Sequence, residues 1–383
     1  MKHYIKNTFH FSLLAICVAM LCACGSGDAA PGSDGPHPTP PTRSSIHMEV
    51  VLGPQQFPSP SPDDAARGCR DGHASQARLG HATEIALSTD QRRLYTIERT
   101  HCEGRQFRIR ALELDSRQIR TLIVSSPVPH DAQQAAPLRN VLEPRALAEG
   151  PDGSLFIADN VEHFNGSLIM PYRQQAGLGN GIWRRTAEGQ LTQLAGFAAL
   201  PSRIGIRDGQ GPAAEFSSIG ALCSMPDGSL LLTDQSLLRS VSLDGTVSTL
   251  QRSPHSALHG LRCGPGGQHL SFLDLGAGQS AVYALDRQAA LGYTSAEPAH
   301  VLAALDGRLA WVLASDRSRM SLIDLHSGQV IPGSTVPFVG STASTSGNGV
   351  PPIEMPLRAA AAANGVAYFT SGQSIVKISY LGP

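Results

Sequence analysis

Short runs of aliphatic residues, separated by turns that contain glycine and aspartate, recur along most of this 383-residue chain. In the clearest stretch, turns at Pro226-Asp227-Gly228 and Asp244-Gly245 separate the apolar runs, which are Ile219–Met225, Leu230–Asp234, Leu237–Leu243 and Val247–Leu250. Asp-Gly supplies the positive φ that tight hairpins require, and runs of this length are typical of strands in an antiparallel sheet. The pattern therefore predicts a unit of four short β-strands.

The same arrangement can be traced six times along the body of the chain, most weakly in the fifth copy. The expected first strands are Ala82–Ser88, Pro144–Glu149, Ile219–Met225, Leu261–Pro265, Ala299–Leu305 and Arg358–Ala363. The last unit ends after its third strand, whereas Ile46–Gly53 is an apolar run without a unit. We expect this N-terminal run to complete the last unit and close a ring, because closure removes exposed sheet edges.

A glycine-rich segment, Asp208-Gly209-Gln210-Gly211-Pro212-Ala213-Ala214-Glu215-Phe216, precedes the clearest unit, and Arg239 lies in the third strand of that unit. Together with the Pro-Asp-Gly turn, this DGxGxxAxF segment resembles the NHL repeat. Arg70-Asp71-Gly72 echoes the segment upstream. The resemblance implies an all-β fold, a six-bladed NHL-like β-propeller with four antiparallel strands per blade and an N-terminal strand that closes the last blade.

The composition agrees with a turn-rich β fold, because 39 glycines and 27 prolines accompany only 16% charged residues. The formal net charge is −1. Such a chain carries no strong field to gather polyanions, so we expect no nucleic-acid partner.

The N-terminus has the features of an export signal. Lys2 and Lys6 precede an apolar run, Phe11–Leu21, which is shorter than the roughly 20 residues of a membrane-spanning helix. The run ends in Leu21-Cys22-Ala23-Cys24, which resembles the bacterial lipobox. The resemblance implies that residues 1–23 are a lipoprotein signal peptide and that Cys24 carries the lipid anchor. An ordinary secretory peptide with a cysteine at its cleavage site is the alternative.

Residues 24–45 contain no aliphatic residue larger than alanine and are rich in Gly, Ser and Pro, which predicts a disordered tether. Gly25 stands where an inner-membrane retention signal would place aspartate. We therefore expect anchoring in the bacterial outer membrane, with the propeller, residues 46–383, facing the periplasm or the cell surface.

Four cysteines lie in the body of the chain: Cys69, Cys102, Cys223 and Cys263. In an exported protein an even number suggests disulfides, and their order favours the pairs Cys69–Cys102 and Cys223–Cys263. For Cys223 and Cys263, the alternative is two small buried thiols.

Candidate binding residues lie in the segments that lead into the innermost strands, because these converge on one mouth of a propeller channel. They are Glu84, Arg145, His259 and Arg358. Closure of the ring would bring Arg358, Glu84 and Arg145 side by side. This trio either satisfies its own charges or lets the two arginines hold a small anion.

His81, His259 and His300 are a weaker set of candidates, for a metal site. Some NHL-like propellers, such as the peptide-amidating lyases, hold zinc with channel histidines, and lactonase-type propellers bind a divalent ion with other ligands. Isolated histidines without a spacing motif are more often ordinary polar residues. Recurring aspartates at the second strands, such as Asp159, Asp234, Asp274 and Asp316, are expected to cap their own hairpins.

The function expected from these features is that of a lipid-anchored envelope protein that binds or scaffolds an unknown protein or small ligand on a propeller face or channel mouth. The alternative is a metal-dependent lyase or hydrolase, lactonase-like or amidating-lyase-like, acting in the channel. We expect a monomeric binding protein rather than an enzyme, because HExxH, GxSxG and Walker motifs are missing from the sequence. No cofactor is predicted, and a divalent metal belongs to the alternative.

Overall fold

The structure is a computed structural model, in which the chain divides into the units Met1–Thr42 and Arg43–Pro383. The described residues all belong to the second unit and are 46–53, 70–100, 106–125, 140–160, 180–196, 205–252, 258–264, 269–274, 279–284, 289–292, 300–305, 308–314, 316–339, 353–354, 356 and 358–382. The predicted signal peptide, Cys24, the tether, Cys69 and Cys102 lie outside these residues. So do the side chains of His259, Cys263 and His300.

The described residues form 26 β-strands in six antiparallel sheets. The first sheet contains β2 (Gly72–His73), β3 (His81–Leu87), β4 (Arg93–Thr100), β5 (Gln106–Glu113) and β6 (Gln118–Val124). The second contains β7 (Pro144–Glu149), β8 (Leu155–Asp159), β9 (Gly181–Arg185) and β10 (Leu191–Gly196). The third contains β11 (Gly209–Gln210), β12 (Ile219–Ser224), β13 (Leu230–Asp234), β14 (Leu237–Val241) and β15 (Thr246–Arg252). A 3-10 helix, Gly211–Ala213, follows β11.

The fourth sheet contains β16 (Leu258–Cys263), β17 (His269–Asp274), β18 (Gln279–Ala284) and β19 (Ala289–Gly292). The fifth contains β20 (His300–Ala304), β21 (Leu309–Leu313), β22 (Arg319–Asp324) and β23 (Val336–Pro337). The sixth contains β24 (Ala359–Ala361), β25 (Val366–Ser371), β26 (Ser374–Tyr380) and β1 (Ile46–Leu52). The weak fifth copy is therefore a sheet, and its first strand lies within the expected region.

The innermost strands of these sheets, β3, β7, β12, β16, β20 and β24, contact one another in sequence, and β24 contacts β3 again. This cyclic order is that of a β-propeller around a channel. Strand β1 pairs antiparallel with β26, from Ile46 opposite Tyr380 to Leu52 opposite Ile375, so the N-terminal run completes the last sheet as expected. The number of blades in the whole ring stays a prediction.

The expectation of four strands per blade is wrong for two of the described sheets. The short strands β2 and β11 add a fifth strand at the outer edge, where they pair with β6 and β15. Both belong to the Arg-Asp-Gly segments. Asp71 and Asp208 hold these segments in place by accepting bonds from the backbone and hydroxyl of Thr121 and Thr249, respectively, at 2.7–2.9 Å.

The core lies between neighbouring sheets, because each strand sends alternate side chains to its two faces. Trp311 of the fifth sheet meets Phe369 of the sixth edge-to-face at 5.7 Å between ring centroids, and Leu52 of β1 packs with Leu79, which lies just before β3. The predicted Asp-Gly turns are present. One example is Gly228, whose φ is +85°.

Two of the recurring aspartates have partners different from those expected. Asp159 accepts hydrogen bonds from the backbone N–H groups of Leu142 and Glu143 at 2.9 and 2.6 Å, and Asp234 accepts bonds from those of Ser217 and Ser218. These aspartates therefore fasten the segment that leads into the innermost strand, and within their own hairpins they bond the side chains of Trp183 and Arg239. Asp316 does bond its own turn, through Ser318, and the Asp274 side chain lies outside the description.

Candidate functional site

A cavity of about 500 Å³ occupies the channel. All six innermost strands of the described residues contribute to its wall. The wall is mainly aliphatic, and its alanines are Ala86, Ala146, Ala148, Ala221, Ala303, Ala359, Ala360 and Ala361. The small side chains of these strands agree with an open channel, and Ala146, Ala148, Ala303 and Ala359 also pack in the core between the sheets.

The position of the cavity along the channel follows from the strand directions. We call the end at which the innermost strands begin the first mouth and the opposite end the second mouth. The lining residues run from Glu84, in the middle of β3, to Thr89 and Pro226 in the turns after the innermost strands. The cavity thus occupies the half of the channel near the second mouth, whereas the candidate binding residues were expected at the first mouth.

Glu84 and Arg358 lie together, as ring closure predicted. The distance between Arg358 Nε and Glu84 Oε2 is 3.9 Å, and Arg358 Nε also donates to the Thr83 carbonyl. Glu84 Oε1 accepts a bond from the backbone N–H of Ile85 at 3.0 Å. Glu84 is one of the residues that line the cavity, and Arg358 is not.

Arg145 does not join this pair. Its Nη2 donates to Glu143 Oε1 at 2.5 Å, a neighbour two positions earlier in the chain. The Glu143 carboxyl is buried, and desolvation raises its pKa although Arg145 acts in the opposite direction. Arg145 is thus paired with a near neighbour in the chain and does not line the cavity.

The third charge is Arg262 of β16, which sequence reasoning missed. Its Nε donates to the carbonyl of Leu302 and its Nη1 to that of Leu261, both at 3.1 Å. Burial lowers the pKa of Arg262, the charge of Glu84 raises it, and that of Arg358 lowers it again. The one available signal was an arginine among the aliphatic residues of an innermost strand.

At the second mouth, Glu149 joins the first two sheets. Its Oε1 accepts a bond from the Tyr95 hydroxyl at 2.5 Å and its Oε2 one from the Thr89 N–H at 2.8 Å. Burial and this carboxylate raise the pKa of Tyr95. Both oxygens of Glu149 are therefore used, and its side chain is only 3% exposed.

The described residues contain no group of three or more His, Cys, Asp or Glu side chains that could hold a metal ion. His81 is exposed at the start of β3, and the side chains of His259 and His300 are not described. The metal site proposed on these histidines therefore stays a prediction.

Cys223 lines the cavity and is 5% exposed, and its sulfur is bonded in a disulfide. The side chain of Cys263 lies outside the description, although β12 and β16 are neighbours. The pair Cys223–Cys263 stays a prediction. Within the part of the chain that the structure describes, no helix is long and apolar enough to cross a membrane.

Comparison with solved structures supports the assignment of the fold. No protein-family model and no curated protein matches the chain. An auxiliary nutrient binding protein from Bacteroides ovatus is similar in structure, with a TM-score of 0.52, 9% identity, and coverage of 88% of this chain and 77% of that one. A protein of the same description from Bacteroides thetaiotaomicron has a TM-score of 0.50 at 10% identity, with coverage of 89% and 78%.

A structural genomics protein of unknown function from Bacteroides thetaiotaomicron is similar at a TM-score of 0.50 and 11% identity, over 88% of this chain and 76% of that one. Sequence identities this low support a shared fold and do not support a shared activity. Together with the cyclic order of the sheets, they confirm that the chain is an all-β propeller.

Proposed function

We propose that this chain is a lipid-anchored binding protein of the bacterial envelope, built as a single propeller of six blades, and that it holds a small ligand in its channel. The observation that carries the proposal is the cavity of about 500 Å³ near the second mouth. Pockets of this size, with mostly apolar walls and few polar groups, are typical of small-molecule sites. The blade number rests on the six described sheets.

The resemblance of Leu21-Cys22-Ala23-Cys24 to a lipobox supports the envelope location. Two similar structures are described as auxiliary nutrient binding proteins, which agrees with a binding role and shares the fold alone.

Filling the cavity should abolish binding. Ser224 is half-buried at the end of β12 and lines the cavity, so we expect Ser224→Trp to place an indole in it. We expect 1-octanol to bind the full-length protein in lipid nanodiscs, and the variant to bind it at least about tenfold more weakly, as loss of most of an apolar pocket implies. Isothermal titration calorimetry, with empty nanodiscs subtracted, measures the difference.

The matched control is Ser248→Trp, an exposed position on β15 of the same sheet that does not line the cavity. This control should bind 1-octanol as the unaltered protein does. Absence of binding to the unaltered protein, or equal binding by both tryptophan variants, would contradict a channel site.

The anchor has its own test. We expect Cys24→Ser to abolish metabolic labelling with a radioactive fatty acid and to release the protein from membranes, because acyl chains supply the hydrophobic attachment. Cys22→Ser alters the neighbouring cysteine and should leave the labelling intact. Labelling of the Cys24→Ser chain at the original level would exclude Cys24 as the lipidated residue.

A further inference from the structure

Among the described side chains, the inner end of the cavity has two arginines and one glutamate in or beside its wall. Glu84 and Arg358 are 3.9 Å apart and balance each other, whereas Arg262 has no carboxylate within 4.0 Å among the described residues. Its two hydrogen bonds go to neutral carbonyl oxygens, and they use only Nε and Nη1. The second terminal nitrogen, Nη2, has no hydrogen-bond partner in the described part of the chain.

Arg262 is partly buried, and the water that its guanidinium loses there is best replaced by a close counter-charge. Glu149, the other carboxylate of the cavity wall, is engaged elsewhere. It lies at the second mouth, accepts bonds from Tyr95 and Thr89, and its Oε1 lies 3.8 Å from Arg93 Nη1. Glu84 lies 3.9 Å from Arg358 and its charge also acts on Arg262, so among the described side chains one carboxylate faces two guanidinium groups.

The middle of the cavity is apolar. Beyond Glu84 and Arg262, towards the second mouth, the wall consists mainly of alanines with Leu87, Leu147 and Leu222. At the second mouth itself the lining includes polar residues, which are Ser88, Thr89, Gln91, Glu149 and Ser224. The polarity of the cavity therefore changes along the channel axis, from a charged inner end through an aliphatic middle to a polar rim.

We propose that the channel binds an amphiphilic monoanion, such as a medium-chain carboxylate, with its charged group on Arg262 and its apolar part along the alanine-rich wall. This inference rests on the proposed function and names the ligand class of the same site. A carboxylate fits the free side of a planar guanidinium, which presents donors in a fixed fork. The aliphatic middle of the cavity covers the tail.

Three probes with one chain length and different head groups test the charge preference: octanoate, 1-octanol and octylammonium. With the full-length protein in nanodiscs at pH 7, we expect octanoate to bind about tenfold tighter than 1-octanol, because hydrogen bonds to a charged group are the strong ones. Octylammonium should bind most weakly.

Arg262→Gln removes the charge and keeps donors for the carbonyls of Leu302 and Leu261. It should abolish the preference for octanoate and change the affinity for 1-octanol by less than about twofold. Arg262→Lys keeps the charge and loses the planar fork, so it should retain only part of the preference. The control is Arg92→Met, which removes an exposed arginine from a surface pair with Asp115 and should change nothing.

The outcomes separate the two proposals. Binding of 1-octanol as tight as that of octanoate, or tighter binding of octylammonium, would overturn the anion proposal and leave a channel site. A preference for octanoate that survives in Arg262→Gln would also overturn it. Binding of none of the three probes to the unaltered protein would overturn the channel site itself. Thermal unfolding of each variant verifies that it is folded.

Discussion

Replacement of Arg239 by methionine should lower the free energy of unfolding by about 3–5 kcal/mol, the typical cost of leaving a buried charge without its partner. Arg239 is fully buried in β14. Its Nη1 lies 2.7 Å from Asp234 Oδ2, and its Nη2 lies 2.9 Å from Asp208 Oδ1. The guanidinium also bonds the carbonyls of Glu215 and Arg207, so methionine would leave two carboxylates and two carbonyls without this donor.

Urea unfolding of the full-length protein, followed by circular dichroism, measures this loss. Arg92→Met is the control, because Arg92 and Asp115 form an ion pair whose side chains are 69% and 72% exposed, and such pairs contribute at most about 1 kcal/mol. Adding Asp234→Asn to Arg239→Met should restore part of the stability, since the amide removes the unpaired charge. A single Arg239→Met variant within about 1 kcal/mol of the unaltered protein would show that the pair is not a stabilising link.

The same arrangement occurs in the first sheet, which provides an independent repeat of this experiment. Arg110 of β5 is fully buried and contacts Glu98 at 3.2 Å and Asp71 at 3.4 Å. Its Nη2 donates to the Arg70 carbonyl at 2.7 Å. Arg110→Met should therefore cost a similar free energy, because the arginine joins the second and third strands to the Arg-Asp-Gly segment in both sheets.

Deletion of residues 46–53 should cause the protein to aggregate. The deletion exposes the outer edge of β26, which pairs with β1 along most of its length. An exposed edge strand is a template for pairing with other chains. The deletion also removes Val51 and Leu52, which are buried against residues such as Leu79 and Ile375. Size-exclusion chromatography of the deletion variant measures the fraction in large assemblies.

Deletion of residues 36–43, equal in length but within the predicted tether, is the control and should leave the elution unchanged. A synthetic peptide of residues 46–53, added during refolding, should recover soluble protein if the loss of pairing is the cause. A chain without residues 46–53 that stays soluble and unfolds cooperatively would disprove the closing role of β1.

Much of the fold could be predicted from local patterns. Alternating side chains and Asp-Gly turns carry their own conformational preferences, so the strands around Gly228 and Gly245 were expected close to where they lie. The apolar run Ile46–Gly53 indicated ring closure, because it is a strand without a unit at the start of the chain and the last unit lacks its fourth strand. The short fifth strands β2 and β11 were missed because two residues are too few to show a period.

The candidate site was predicted less well, because side-chain partners depend on distances that spacing along the chain does not determine. Arg145 was expected beside Glu84 and instead pairs with Glu143, its own near neighbour. Arg262 was not considered, yet it enters the cavity because β16 brings it to the channel near Glu84. Asp159 was correctly expected to be structural, but it bonds Leu142 and Glu143, which are distant in sequence.

The sequence by itself determined that this chain forms short antiparallel strands in repeated units, with a terminal strand left to close the ring, because hydrophobic period and turn chemistry act over a few residues. The tertiary structure decided which charges meet and where space remains. The cavity lies where the six innermost strands meet around one axis, and its charged end arises because Glu84 and Arg262 come from two different sheets, with Arg358 beside Glu84. Such convergence is a property of the closed ring, and no single repeat contains it.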